Sequence, residues 1–520
     1  MDKKWWTLLA VCAGTFMLLL DVTIVVVALP DIQRSLHATF GDVQWVVDAY
    51  ALTLASLLLT SGVLADRYGR RKLFAIGLTI FTAGSLLCGV AQSPLMLIVS
   101  RSAQGVGGAV MFATSLALLA QSFHGRERGV AFGAWGAVTG VAVAAGPILG
   151  GLITTGITWR GIFLVNIPIG VGAVAVTLLR LDESRADHAS RPDWWGFGLL
   201  TAGLITLTYG LIEAGEKSWG ATSVWVCLPL GAVLLAGFVI AEGRVEHPMF
   251  DLSLFRVPTF VGGSIAAFAM NASLFSVLLY LVLYLQDLLG YSALGAGLRL
   301  LINSGAVLVA ATLAGRLSGR VPVRWLIGPG LALVGIGLLL MSGLDAHSSW
   351  THLIPGFVVA GVGSGMVNPP LASTAVGVVE PQRSGMASGI NSTFRQVGIA
   401  TSIAILGSLF ASSITRGLTH SLAGAPGLSS RVGEVASAVR QGNVGQLLTQ
   451  VPAADRGRLQ AAIRSSFTGG INDLLVFTAV VALVGAVFAV LLIRQKDFVA
   501  SGPQSQSGGP ADRESVPEAV

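Results

Sequence analysis

The stretch Gly62-Val63-Leu64-Ala65-Asp66-Arg67-Tyr68-Gly69-Arg70-Arg71-Lys72 joins two apolar runs, 43–64 and 73–91. A bilayer core of about 30 Å takes about 20 apolar residues of helix, and each flanking run has that length. A short, strongly basic turn between two such runs reads as a loop returning the chain into a membrane. The rest of the sequence repeats the pattern. Of 520 residues, 53% are hydrophobic and only 11% charged, and the net charge is +6. Soluble proteins carry roughly a quarter charged residues, and this chain could not cover a water-exposed surface with so few. A soluble enzyme, a nucleic-acid binder and a disordered chain are excluded. Outer-membrane barrels alternate apolar and polar residues, which these continuous runs do not. The fold class is an all-α polytopic membrane protein.

Fourteen runs are long enough to span: 5–29, 43–64, 73–91, 95–121, 129–152, 161–180, 195–214, 222–241, 259–286, 297–318, 325–343, 351–378, 386–412 and 471–493. An even number places both termini on one side. With the N-terminus inside, twenty Lys and Arg fall on inner segments, while the short outer loops hold only Arg34, Arg160 and Lys217, with Arg299 near the outer end of its helix. This asymmetry follows the positive-inside rule, so both termini are expected to be cytoplasmic. The excess of basic residues is therefore mainly topology and not a sign of nucleic acid.

The expected domain organisation is a six-helix bundle over 1–180 and a linker with two extra spans over 181–250. A second six-helix bundle follows over 251–496, with a long outer loop at 413–470, and a disordered tail over 497–520. Within that loop, 429–441 and 454–468 read as amphipathic helices lying at the outer surface. A weak internal echo, Leu64-Ala65-Asp66-Arg67 against Leu313-Ala314-Gly315-Arg316, suggests repeated halves, a signature of secondary transporters.

Charges in lipid are costly and need a reason. Asp21, in Leu19-Leu20-Asp21-Val22-Thr23, has no neutralising neighbour in sequence. It reads either as a carboxyl that takes up and releases a proton or as the partner of a structural arginine. Arg101, in Ser100-Arg101-Ser102-Ala103-Gln104, stays charged at every relevant pH. It either organises the proton path with Asp21 or pins helices through carbonyls. Asp48 lies about one turn into its span and is expected to reach the interface as a solvated or helix-start acid, the alternative being a second carboxyl for protons or a cationic substrate. Arg395 is expected to snorkel to the interface, and Glu213 to be wetted at the end of its span.

Several chemistries are absent from the pattern. None of the five Lys follows a Gly, so no Walker A loop is present and ATP is not hydrolysed by this chain. Gly105, Gly107 and Gly108 lie inside a span with no preceding strand, which excludes a dinucleotide fingerprint. Cys12, Cys88 and Cys227 sit in apolar runs, odd in number and far from His, and read as core residues. No metal or Ser-His-Asp arrangement stands out, and no cofactor or enzymatic activity is expected.

Gly62 with Asp66, Arg67, Gly69, Arg70 and Arg71 resembles the signature loop of the major facilitator superfamily. Arg101 with Gln104, Gly105 and Gly107 resembles that superfamily's fourth-helix proton-transfer motif. Gly146-Pro147-Ile148-Leu149-Gly150-Gly151 resembles the fifth-helix antiporter motif of exporters. Leu20-Asp21-Val22-Thr23 through Pro30, Trp159-Arg160-Gly161 with Asn166 and Pro168, and Tyr284-Leu285-Gln286 with Gly290 resemble the fourteen-helix drug:proton antiporter family. The resemblance covers roughly 5–495.

The resemblance implies two six-helix bundles rocking about a central cavity, with two inserted helices at the periphery. It implies proton-driven efflux of lipophilic drugs or antibiotics across the bacterial cytoplasmic membrane, with Asp21, Arg101 and Asp48 in proton coupling. Gly62 is expected to allow close packing, Asp66 to cap a helix across the interface between the halves, and the arginines to clamp charges in a gate. The partners are a small lipophilic solute, a cationic group being left open, together with protons and lipid. Export of a defined metabolite such as a siderophore or amino acid is the alternative. Val26 stands where the family usually has Asn, Asp48 where it usually has an uncharged hydroxyl residue, and Asn303 where it usually has Pro. These departures leave the substrate open.

Overall fold

A computed structural model describes residues 2–123, 125–184, 193–217, 219–244, 252–317, 321–379, 384–423, 428, 431–440, 447 and 451–498. Fourteen long helices run in sequence: α1 (Lys3–Leu36), α2 (Phe40–Tyr68), α3 (Arg70–Gly89), α4 (Pro94–Ser122), α5 (Gly125–Gly156), α6 (Gly161–Arg180), α7 (Trp194–Glu216), α8 (Thr222–Glu242), α9 (Pro258–Leu288), α10 (Ala293–Leu317), α11 (Arg324–Met341), α12 (Ile354–Gly377), α13 (Ser384–Leu422) and α14 (Ala453–Leu492). Thirteen of them are long and apolar enough to cross a membrane by length and composition. The remaining one, α2, carries the run 43–64 within 29 residues, about 44 Å of helix. Among the described residues there is no strand.

Local chemistry sets many of the boundaries. Thr39 and Asp42 form a reciprocal capping box that starts α2, and Ser93 caps α4 with Pro94 at its first position. Gly69, at φ +113°, makes the turn between α2 and α3, a conformation a side chain would strain. Proline interrupts the hydrogen-bond ladder inside α5 at Pro147 and inside α12 at Pro369 and Pro370. Two π-helical turns, Asn271–Phe275 and Tyr284–Leu288, lie within α9.

The packing of the first six helices is repeated by the last six. α1 lies on α5, α4 on α2 and α3, and α6 on α3 and α1. Likewise α9 lies on α13, α12 on α10 and α11, and α14 on α11 and α9. The two bundles meet through α5 on α10, α2 on α13 and α1 on α9. The faint sequence echo thus corresponds to a full repeat of helix neighbours. Of the inserted pair, α8 packs on α7 and exposes Trp225, Val226, Val233 and Ile240. Such a surface belongs to lipid. The other, α7, is not merely peripheral, because it lies across both α2 and α13 at the seam between bundles.

Both termini sit at one end of the bundle. Lys3 pairs there with Asp182 at 2.7 Å, and Thr259, in the first turn of α9, bonds Asp497 and Arg494 after α14. The opposite end is called distal below. The long loop at 413–470 is much shorter than expected, because α13 continues to Leu422 and α14 begins at Ala453. At 40 residues α14 is about 60 Å long, twice a bilayer core. The stretch 454–468 is therefore the distal part of a spanning helix, about four turns, and not a separate surface helix. Phe410 against Phe467 at 5.1 Å and Ser413 to Asp473 at 2.5 Å zip the two extensions together. The helix Val432–Arg440 accounts for the other amphipathic stretch. The expected tail lies outside the described residues from 499 onward.

Candidate functional site

Asp21 lies at the middle of α1, and Arg101 lies two turns into α4. The structure brings them together. Arg101 Nη1 donates to Asp21 Oδ2 at 2.5 Å and to Gln104 Oε1 at 2.7 Å, while Arg101 Nε donates to the Val46 carbonyl at 3.1 Å. Asp21 Oδ1 accepts from Gln104 Nε2 at 2.8 Å and from Asn166 Nδ2 at 3.4 Å. Both amides also donate to Ser85 Oγ, which donates to the Phe163 carbonyl. The Tyr50 ring lies under the guanidinium at 4.2 Å. Asp21 is 0% exposed and Arg101 2%. A pair so desolvated survives only with good geometry and further hydrogen bonds, and α1, α2, α3, α4 and α6 each supply some. The arginine partner missing from the neighbouring sequence is thus provided by the fold, through a fourth helix 80 residues away.

Asp48 differs from its expected placement. It lies eight residues into α2, is 0% exposed, and neither carboxylate oxygen has a hydrogen-bond partner. A solvated or helix-start role is therefore excluded. The reason is the face it occupies. Val46 and Tyr50 point to the Arg101 cluster, whereas Gln44 and Asp48, one helical turn apart, lie on another face of α2. Gln44 Nε2 donates across the bundle seam to the Ile403 carbonyl at 2.9 Å and to Tyr280 Oη at 3.2 Å. Gly407 leaves the space that the Gln44 amide fills. One helix thus supports a sealed ion pair with one face and carries a lone carboxyl at the seam on another.

The basic loop departs from expectation at Gly62 and at Arg71. Gly62 does not mediate a close helix contact, since a Cβ there would meet no atom within 4 Å. The described polar contacts between bundles lie at mid-height or toward the distal end, and Gly62 sits near the terminal end. The carboxylate capping α3 is Glu183, whose oxygens accept from the N–H groups of Arg71 at 3.0 Å and Lys72 at 3.1 Å. Arg71 donates its guanidinium to the Leu178 carbonyl and not to an acid. Arg67 is exposed and lies over the Tyr68 ring. The Asp66 side chain lies outside the described ones, and its expected capping role with it. Arg70 ties its N–H to the Ser184 carbonyl at 2.9 Å. Nothing in the sequence singles out Glu183, which is one acid among several polar residues after a span.

Gly146, Pro147, Gly150 and Gly151 are buried in α5. A Cβ at Gly150 would stand 2.8 Å from the Ile24 carbonyl of α1, and one at Gly151 2.5 Å from the Leu294 Cα of α10. Gly146 faces Thr23, two residues from Asp21. These glycines press α5 between α1 and α10, at the distal seam. Nearby, Gln286 of α9 donates to the Val27 carbonyl of α1 at 2.7 Å.

Arg395 does not snorkel. It donates to Asn368 Oδ1 of α12 at 3.0 Å and to Asn391 Oδ1 at 3.3 Å, in the interior of the second bundle. Glu213 is not wetted but bonded, to Lys217 at 2.7 Å and Ser223 at 2.7 Å. Asn303 is buried with its Oδ1 unpartnered, and Gly361 of α12 packs against it. Among the described residues no group of His, Cys, Asp and Glu could hold a metal ion.

Residues 11–403 match the family model described as Major Facilitator Superfamily. The chain is 37% identical over 406 residues to the multidrug resistance protein Stp of Mycobacterium tuberculosis (strain CDC 1551 / Oshkosh), covering 78% of this chain and 75% of Stp. It is 34% identical over 500 residues to the tetracenomycin C resistance and export protein of Streptomyces glaucescens, covering 94% and 91%. Among solved structures, a bacterial homologue of the human lysosomal transporter Spinster, inward-facing and occupied, aligns with a TM-score of 0.63 at 17% identity, covering 95% of this chain and 98% of that one.

Proposed function

The chain belongs to the major facilitator superfamily, and from that premise we propose that it is a proton-driven exporter of lipophilic drugs or antibiotics, working by alternating access in a bacterial cytoplasmic membrane with both termini inside. The resistance and export proteins named above support the substrate class. The single observation that carries proton coupling is the sealed pair of Asp21 and Arg101 in mid-membrane.

Protonating Asp21 removes the charge that holds Arg101. It also places a hydroxyl where Gln104 and Asn166 already donate, so part of the network must reorganise. Arg101 grips α2 through the Val46 carbonyl, and α2 crosses the seam through Gln44. Asp21 shares α1 with Thr23 and Val27, which meet α5 and Gln286 at the distal seam. Loss of the ion pair therefore loosens both helices that hold the distal end closed. Asp48, buried at that seam without a partner, is the second carboxyl of the coupling path and becomes accessible when the bundles part. Gly69, Arg70 and Arg71, latched by Glu183, form the gate at the terminal end together with Gly62, Asp66 and Arg67. Each charge crossing the membrane is worth about 2.3 kcal/mol per 100 mV. Reversing a 1:99 balance takes about 5.5 kcal/mol, so two protons, helped by the pH gradient, suffice.

The test is in everted vesicles holding a preformed pH gradient. Adding a substrate found by susceptibility screening in a pump-deficient host should dissipate the gradient with the wild type and not with Asp21→Asn. Equal dissipation by the two would refute the coupling role. Failure of every drug in the screen, with efflux of an amino acid or siderophore instead, would favour the metabolite-exporter alternative.

A further inference from the structure

The second bundle holds a charge that the coupling path does not use. Arg395 lies eleven residues into α13, about 16 Å along the helix. Helices α10, α11, α12 and α13 contain no acidic residue at all. The acids of α9 and α14, Asp287, Asp455 and Asp473, lie toward the distal end of those helices. Arg395 consequently has no carboxylate within salt-bridge distance among the described residues, and its bonds go to the amide oxygens of Asn368 and Asn391. Arg101 spends its charge on Asp21 within its own bundle. Arg395 keeps its charge.

The location adds a second argument. Arg395 is half-buried, while α13 is surrounded by α2, α7, α9, α12 and α14. Its guanidinium is bonded toward α12 through Asn368 and, by way of Asn391, toward α9. Asn391 also reaches the Gly263 carbonyl of α9, and Asn368 precedes Pro369-Pro370, where α12 cannot complete its own hydrogen-bond ladder. The cation therefore stands between α9, α12 and α13, held by two neutral side chains. A guanidinium so held, with Nη2 unspent among the described residues, matches a carboxylate in its planar fork geometry. Across the seam, Asp48 lies level with about residue 399, judged from the Gln44–Ile403 and Thr393–Ala55 bonds, and makes no bond to Arg395.

We infer that Arg395, positioned by Asn368 and Asn391, binds a carboxylate on the exported solute. The inference rests on the exporter reading for its biological meaning, but its test does not. Full-length protein in lipid nanodiscs is titrated with 7-diethylaminocoumarin-3-carboxylic acid and with the uncharged methyl ester of the same dye, following fluorescence anisotropy, with the unfolding midpoint of each variant recorded. The wild type should bind the acid at least about tenfold more tightly than the ester, the worth of one or two charge-assisted hydrogen bonds. Arg395→Gln should abolish that preference and Arg395→Lys restore part of it. Should Arg395→Gln fail to fold, Asn368→Asp, which sets a carboxylate against the guanidinium, should cancel the preference instead. A wild type indifferent to the ester, or a folded Arg395→Gln that still prefers the acid, overturns the assignment. Collapse of the pH gradient in vesicles is measured separately, so failure of the exporter reading leaves the binding result intact.

Discussion

The two bundles repeat each other in helix packing and part company in charge. In the first, an arginine on α4 meets a carboxylate on α1, and both are sealed from solvent. In the second, an arginine on α13 meets only amides and is not fully sealed. An arginine is thus neutralised in one half and left with neutral partners in the other, on helices that are not counterparts in the repeat. Duplicated architecture does not duplicate function here, because a membrane charge is defined by its partner and not by its helix. On the proposed reading the first half responds to a proton, while the second presents a guanidinium that stays charged at every relevant pH.

The comparison can be broken in several places. Asp21→Asn should abolish proton-coupled export while the protein still reaches the membrane, and counterflow of substrate without a gradient should survive. Loss of counterflow as well would mean that the pair only supports the fold. Arg101→Leu leaves Asp21 buried without its counter-charge, and removing one partner of a buried pair typically costs about 3–5 kcal/mol. Its unfolding midpoint in detergent should fall well below that of the Asp21→Asn/Arg101→Gln double variant. Equal midpoints would show that the pair adds nothing to stability.

Smaller effects sharpen the picture. Asp48→Asn removes a carboxyl that makes no bond, so stability should hold or rise slightly while the proton-to-substrate ratio falls. An unchanged ratio would take Asp48 out of the coupling path. Gly69→Ala forces a side chain into positive φ against the Glu183 carboxylate. It should cost about 1–2 kcal/mol and slow the exchange between inward and outward states seen by single-molecule fluorescence. Glu183→Gln should cost less, about 1 kcal/mol, as the loss of one helix cap. If Glu183→Gln slows exchange more than Gly69→Ala does, the latch lies in the carboxylate and not in the turn.

Much of this was legible in the residues. The fourteen apolar runs coincide with helices because in lipid every backbone polar group must be satisfied within the segment, which leaves hydropathy as a direct readout of the helix. Asp21 and Arg101 stood out for the same reason, as charges with no local excuse. Asp48 was misplaced because hydropathy measures depth along a helix and says nothing about which face a side chain takes. Gln44, a polar residue one turn away, was the available signal that this face is not lipid. The extent of α13 and α14 beyond the membrane was hidden because the extension is polar outside and apolar only along one stripe, as any water-soluble helix pair would be.

By itself the sequence determined the solvent, the number of crossings and the short roster of charges that cannot be surface decoration, since these follow from transfer free energies that act residue by residue. Tertiary structure alone decided which charges are paired. Asp21 finds Arg101 80 positions away, Glu183 caps α3 from 112 positions beyond Arg71, and Arg395 finds only amides. The physical reason is that Coulomb and hydrogen-bond energies in a low-dielectric interior depend on distances of a few ångströms between helices, and no spacing along a chain encodes those distances.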